Sequence, residues 1–244
     1  MSPIKAYSVR FGGGYKWYAT VTVMFGTIVT TASSTMINVA LPDIMGAFGL
    51  GSDQVQWLST GFLAAMTATM LMTAWALNRL GYRLCFAGAL SVFILGALIG
   101  AFSRSGAEVI LARVLQGMAS GLIQPAAMVV MSHVFPHRQR GQAMGIYGIG
   151  VVLAPALGPA LGGFLVDQYE WRDVFWVLIP ICLAGIGAAS VFLPGLGDGR
   201  HRNTPQRFDA LGFAFLALFL VTLLSALSNG QRQGWDSGLI LALF

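Results

Sequence analysis

Charge is what this sequence has least of. Only 9% of its 244 residues are Asp, Glu, Lys or Arg, against about 25% in ordinary soluble domains. With 56% hydrophobic residues, no soluble fold of this size could hide its apolar surface behind so few charges. Catalytic signatures are missing too. There is no His-Glu-x-x-His, no Gly-x-Ser-x-Gly and no Gly-x-x-x-x-Gly-Lys-Ser/Thr. The stretch "GMASG" around Ser120 only approaches a serine-nucleophile site. ATP hydrolysis by this chain is therefore excluded, and no enzyme is expected. The three histidines, His133, His137 and His201, fall at the edges of apolar segments, and the two cysteines, Cys85 and Cys182, lie inside different ones. Neither a metal site, a cofactor nor a disulfide framework follows from them. The sequence also lacks a selectivity-filter loop of the kind a channel needs. The net charge is +5, but the basic residues sit singly between apolar segments, so nucleic acid is not a partner.

What the sequence has is long apolar runs. A membrane span needs about 20 mostly apolar residues, and seven such runs are present. They are Trp17–Asn38, Val55–Leu77, Leu84–Phe102, Val109–Val130, Gln142–Val166, Val174–Leu193 and Leu211–Leu227. The first exceeds a signal-peptide core of roughly 7–15 residues, so it reads as an uncleaved span. An eighth run begins near Leu239 and reaches Phe244. Eight or fewer helical residues cover only about 12 Å, so the chain is expected to be the first part of a longer protein. The expected organisation is an all-α polytopic membrane protein: a tail over 1–16, six helices over 17–193, a linker over 194–209 and further helices over 210–244.

The distribution of Lys and Arg orients the spans. With a cytoplasmic amino terminus, the inside receives Lys5, Arg10, Lys16, Arg79, Arg83, Arg138, Arg140, Arg200, Arg202 and Arg207, and the outside receives Arg104, Arg172 and Arg232. That is ten against three, with Arg113 left inside a span.

A charge at membrane depth is costly and usually faces a bundle interior or an aqueous cavity. Arg113, Gln116, Ser120 and Gln124 recur at spacings of three, four and four, one stripe along the fourth span. The alternative is an Arg113 that snorkels to the membrane boundary and pairs with Glu108. The first span has its own stripe, Thr27, Thr31, Ser34 and Asn38. Hydroxyls there can be satisfied by their own helix backbone, and Asn38 lies close to the expected helix end. In the fifth span Gly150, Ala154, Gly158 and Gly162 recur every four residues, a small-residue seam of the kind that allows close helix contact. Pro155 and Pro159 lie one position beyond it, and neighbouring helices can re-satisfy the carbonyls they free. Such a helix suits a pivoting interface, or else static packing.

Several segments together resemble the fourteen-helix drug:proton antiporter branch of the major facilitator superfamily. They are "STMINVALPDI" (34–44), "NRLGYR" (78–83), "RVLQGMASGLIQP" (113–125), "APALGPALGG" (154–163), "WRDVFWVLIP" (171–180), "FDALG" (208–212) and "GW" (234–235). The resemblance covers nearly the whole chain at the expected spacings. It implies a six-helix amino-terminal bundle of 3+3 inverted repeats, plus helix seven and the start of helix eight, with substrate bound near the bilayer midplane. It implies a multi-pass exporter in the bacterial inner (plasma) membrane that moves amphipathic small molecules, exchanges protons and draws on the proton gradient rather than a cofactor. Membrane lipid, and a periplasmic adaptor with an outer-membrane channel, are the further partners it allows. Carried over by motif, Arg113 and Gln116 line the cavity and take part in coupling. Gly150, Pro155, Gly158, Pro159, Gly162 and Gly163 shape the helix-five pivot, and Asn78, Arg79, Gly81 and Arg83 form the cytoplasmic gate loop.

Two positions depart from that pattern. Ser33 stands where the first-helix signature usually carries an aspartate, and Asn78 where the gate loop often has an acid. Each removes a carboxylate, and every acid that the sequence does have falls at or near a span boundary. The alternatives are therefore a uniporter or specific metabolite exporter with weak proton coupling, and a membrane interaction protein that transports nothing.

Overall fold

The computed structural model describes residues 12–195 and 210–233. Among them every regular element is helical. After a 3-10 turn at Gly12–Gly14 come α1 (Tyr15–Phe48), α2 (Ser52–Met70), α3 (Thr73–Ala101) and α4 (Gly106–Val134). A second 3-10 turn at His137–Gln139 leads into α5 (Arg140–Gln168). Then follow α6 (Asp173–Phe192, opening with the separate turn Asp173–Trp176) and α7 (Ala210–Gln233). Five stretches, Gly12–Phe48, Thr73–Ala101, Gly106–Val134, His137–Gln168 and Asp173–Phe192, are long and apolar enough to cross a membrane. The expected span Leu211–Leu227 falls within α7. Most of the expected 1–16 tail, nearly all of the 194–209 linker and the start of an eighth helix near Leu239 lie outside the described residues.

Two helix boundaries differ from the sequence expectation. The first helix does not end near Asn38 but runs ten residues further, through Pro42, to Gly49 at φ 63. Proline in a helix removes only the hydrogen bond to the carbonyl four residues back, and the fully buried Ile37, Ala40 and Ile44 hold the turn around it in place. The expected Val55–Leu77 span is divided between α2 and the first turns of α3. Leu71 and Met72 between them keep right-handed helical backbone, so the helix is distorted there rather than ended. The chain is redirected at Gly81, whose φ of 75 and ψ of 170 lie in a region that only glycine adopts readily.

α1 packs chiefly against α5, and α2 against α4; α3 and α6 pack on the outside of α4 and α1, and α7 rests on α2. The ends of the bundle are chemically distinct. One holds Lys16, Arg79, Arg83, Arg138 and Arg140 and, among the described residues, no carboxylate. There Lys16 Nζ donates to Gln139 Oε1 at 2.9 Å, and Arg83 Nε donates to the Leu193 carbonyl at 2.9 Å. The other end holds Asp43, Asp53, Glu108, Asp167, Glu170 and Asp173 with Arg104 and Arg172. There Arg172 lies over the Trp171 ring at 4.4 Å and donates to the Ser103 carbonyl at 3.1 Å.

Pro125 in α4 and Pro159 in α5 each strip a carbonyl of its helical partner, and a threonine from a neighbouring helix replaces it. Pro125 leaves the Gly121 carbonyl free, and Thr73 Oγ1 donates to it at 3.1 Å. Pro159 leaves the Pro155 carbonyl free, and Thr35 Oγ1 donates to it at 3.2 Å. Close approach makes both bonds feasible. A Cβ on Gly117 or Gly121 would strike the Phe62 or Met66 carbonyl of α2, and one on Gly158 would strike the Thr35 hydroxyl of α1.

Candidate functional site

Arg113 is the eighth residue of α4, about 10 Å of helix rise from its start. Its side chain does not reach the boundary. It is 1% exposed, the bulkiest of the fully buried side chains. Glu108 does not pair with it: the Glu108 carboxylate accepts from the Arg104 backbone N–H at 2.7 Å, while the Ser105 hydroxyl accepts from Glu108 N–H at 3.3 Å. Together these close the amino-terminal cap of α4.

The guanidinium is held from three helices. Nε donates to the Leu58 carbonyl of α2 at 3.2 Å. Nη1 donates to Ser33 Oγ of α1 at 2.9 Å and to Gln116 Oε1 of its own helix at 2.8 Å, with the Ser33 carbonyl at 3.4 Å. The Phe62 ring of α2 faces the charge, its centroid 4.3 Å from Cζ, a distance at which a cation gains from the ring's negative face. Every partner is neutral. Nη2 and Gln116 Nε2 are buried with no hydrogen-bond partner among the described residues. The stripe continues to Ser120, buried and donating to the Gln116 carbonyl at 2.7 Å, and to the half-buried Gln124. Ile110 and Val114, on either side of Arg113 in the chain, border an apolar groove of about 240 Å³ that α2 lines with Trp57, Gly61, Ala64 and Ala68.

The first-helix stripe is dispersed by comparison. Thr27, Thr31 and Ser34 donate to carbonyls of their own helix, at 3.0, 2.6 and 2.7 Å, and Thr27 also meets the Tyr147 hydroxyl of α5 at 3.2 Å. Asn38 is exposed and accepts from Ser59 at 3.2 Å. Ser33, one residue off that stripe, is the part of α1 that touches Arg113. Its signal in the sequence was its place in the first-helix segment. The contributions of Leu58, through a backbone carbonyl, and of Phe62 had none.

On α5, Gly150, Ala154, Gly158 and Gly162 are all buried. Pro155 and Gly163 are half-buried, and Pro159 is exposed. Of the gate-loop residues, Asn78 and Arg79 are exposed, Gly81 supplies the redirected backbone, and Arg83 joins α3 to the end of α6, where its backbone N–H also donates to the Pro194 carbonyl at 3.2 Å. The described His, Cys, Asp and Glu side chains form no group able to hold a metal ion.

Long apolar helices around a fully buried cationic cluster define a polytopic membrane protein with a polar core, the architecture of a transporter. Residues 23–244 match the family described as Major Facilitator Superfamily, and the chain belongs to that superfamily. It is similar to YhcA of Bacillus subtilis, an uncharacterised MFS-type transporter, at 30% identity over 91% of this chain and 41% of YhcA. It is also similar to the multidrug transporter protein MdtP of Bacillus subtilis, at 33% identity over 86% of this chain and 38% of MdtP. A third relative, MdtD of Yersinia pestis, is provisionally named for multidrug resistance and is 30% identical over 90% of this chain and 47% of its own. The chain thus spans less than half the length of these relatives. It is a transporter-family membrane protein, not an enzyme.

Proposed function

We propose that this chain forms the amino-terminal part of a secondary exporter of amphipathic organic compounds in the plasma membrane. The observation that carries this reading is the Arg113–Gln116–Ser33 cluster, a charge kept at membrane depth at a cost of about 3 kcal/mol on insertion scales and placed beside an apolar groove. Packing alone gives no reason to keep such a charge; an amphipathic substrate, part polar and part apolar, does. The names of MdtP and MdtD support the same substrate class. The basic end of the bundle faces the cytoplasm, since an excess of Lys and Arg marks that side. The pairing of α1 with α5 and of α4 with α2 supports the 3+3 inverted arrangement, in which helices one and four, and two and five, are counterparts. Alternating access then moves α5 along its seam on α1, while Arg83 fastens the cytoplasmic end.

Proton antiport is the drive we infer for the exporter, with no cofactor. A second reading rests on one observation: the six carboxylates of the described bundle all stand at one end, none beside Arg113. On that reading the protein is a uniporter or specific exporter with weak proton coupling. Efflux of an amphipathic dye from vesicles containing the full-length protein, with an imposed pH gradient, decides between them. Gradient-driven efflux supports the antiporter, and dye movement indifferent to the gradient supports the second reading. No dye movement at all contradicts the multidrug assignment.

A further inference from the structure

We propose that Arg113 and Gln116, positioned by Ser33, bind a compact monoanion, either chloride or the carboxylate of an anionic substrate. The proposal deepens the reading above, because it relies on this cluster opening to the aqueous cavity during transport. Three observations carry it. Arg113 is a full positive charge, 1% exposed, whose hydrogen-bond acceptors are a serine, a glutamine and a leucine carbonyl. Breaking a buried charge away from its counter-charge is strongly destabilising, and neutral acceptors with one aromatic face solvate the guanidinium without neutralising it. Next, the donors left over belong to two side chains that are hydrogen-bonded to each other. Gln116 must turn Oε1 toward the cation, which turns its Nε2 amide away from it, and Arg113 Nη2 is the guanidinium nitrogen not engaged by α1 or α2. Both are buried without a partner among the described residues, on side chains three residues apart on a single helix face, joined by the 2.8 Å bond from Nη1 to Oε1. Finally, donors only, with a net positive charge, are what a small anion accepts from, and a cation or a neutral hydrocarbon gains nothing from them.

Size follows from the same geometry. The cluster is sealed by Phe62 on α2, and Gly96 on α3 brings that helix against Gln116: a Cβ at residue 96 would lie 3.0 Å from the Gln116 side chain. Packing this close on two sides favours a single atom or a carboxylate over a sulfate or phosphate, which has four oxygens to place.

The test uses purified full-length protein in detergent, and its thermal unfolding is titrated with sodium chloride and, separately, with sodium acetate. The Ser33→Asp variant is the control, since a carboxylate on the residue that lies 2.9 Å from Nη1 supplies the counter-charge from within. The wild-type Tm should rise saturably by about 5 °C relative to Ser33→Asp as the anion fills its site. Arg113→Gln should lose the response too; if it fails to fold, Ser33→Asp still decides. A rise with chloride identifies an inorganic anion. A rise with acetate alone identifies a substrate carboxylate. Equal responses of wild type and Ser33→Asp, or no response to either salt, overturn the proposal. The readout is binding rather than transport. A saturable Tm rise with no dye efflux therefore leaves this site standing and removes only the exporter assignment.

Discussion

α4 and α5 are built alike and used differently. Each has 29 residues, each contains proline, and each carries glycines four apart against a packed helix, with a threonine donating to a proline-freed carbonyl, from α3 for α4 and from α1 for α5. Yet fourteen residues of α4 are buried and only six of α5. α4 is enclosed by α1, α2 and α3, while α5, within this part of the protein, rests mainly on α1 and leaves Ile149, Val152, Leu157, Leu161 and Phe164 uncovered by the described helices, a face open to lipid or to the rest of the protein. Within this bundle the same devices therefore give a central post in one case and a peripheral helix held along one seam in the other. Among the described residues only the enclosed helix carries a buried charge, because there three helices supply acceptors and an aromatic face to it.

The contrast predicts unequal responses to equivalent substitutions. Gly117→Leu should prevent folding, because the added side chain runs into the backbone of α2 at Phe62; a monodisperse, folded variant would show that the α2–α4 contact is looser than described. Gly158→Leu should fold but fail to transport, since α5 is free to shift off α1 yet cannot return along its seam. Normal efflux by that variant would remove the pivot reading.

Alanine separates the two seams more finely. Gly117→Ala should cost about 2–3 kcal/mol, the upper range for overpacking, because a backbone carbonyl cannot step aside. Gly158→Ala should cost about 1 kcal/mol, since its nearest obstacle is the Thr35 hydroxyl, a rotatable group. Adding Thr35→Ala should then recover part of that loss, and a double-mutant cycle with no coupling would contradict the contact. The smallest effects belong to the threonines alone. Thr73→Val and Thr35→Val should each cost about 0.6–1 kcal/mol, in the range of hydrogen bonds between membrane helices. The buried Thr73 should cost the more, and the reverse order in thermal unfolding would undo the ranking.

Among the described residues the seven expected runs each fall on helices, and their rough extents were legible in the sequence because apolar length is a one-dimensional signal. The details that escaped it are three-dimensional. α1 continues through Pro42 because Ile37, Ala40 and Ile44 are buried against other helices, and local propensity does not report that packing. The α4 stripe was legible from spacing, since one helix carries all of it. The α1 stripe was not a comparable guide. Its hydroxyls turn back onto their own backbone, and Ser33 reaches Arg113 from the next position around the helix. The Leu58 carbonyl contributes through an atom that every residue has, so no residue type announces it. On α5 the buried residues at the seam are those that the four-residue spacing picks out, because a small-residue seam and its partner are set by the same periodicity.

On this reading the Arg113 cluster is the working polar core of a transporter. The most direct test is dye efflux from proteoliposomes carrying equal amounts of folded full-length wild type and Arg113→Ala. Loss of one fully buried charged contact of about 3 kcal/mol corresponds to roughly a hundredfold, so efflux by the variant should fall to background while insertion is unchanged. Efflux within a fewfold of wild type would mean that Arg113 is held only for packing, and the site would have to be sought elsewhere in the protein.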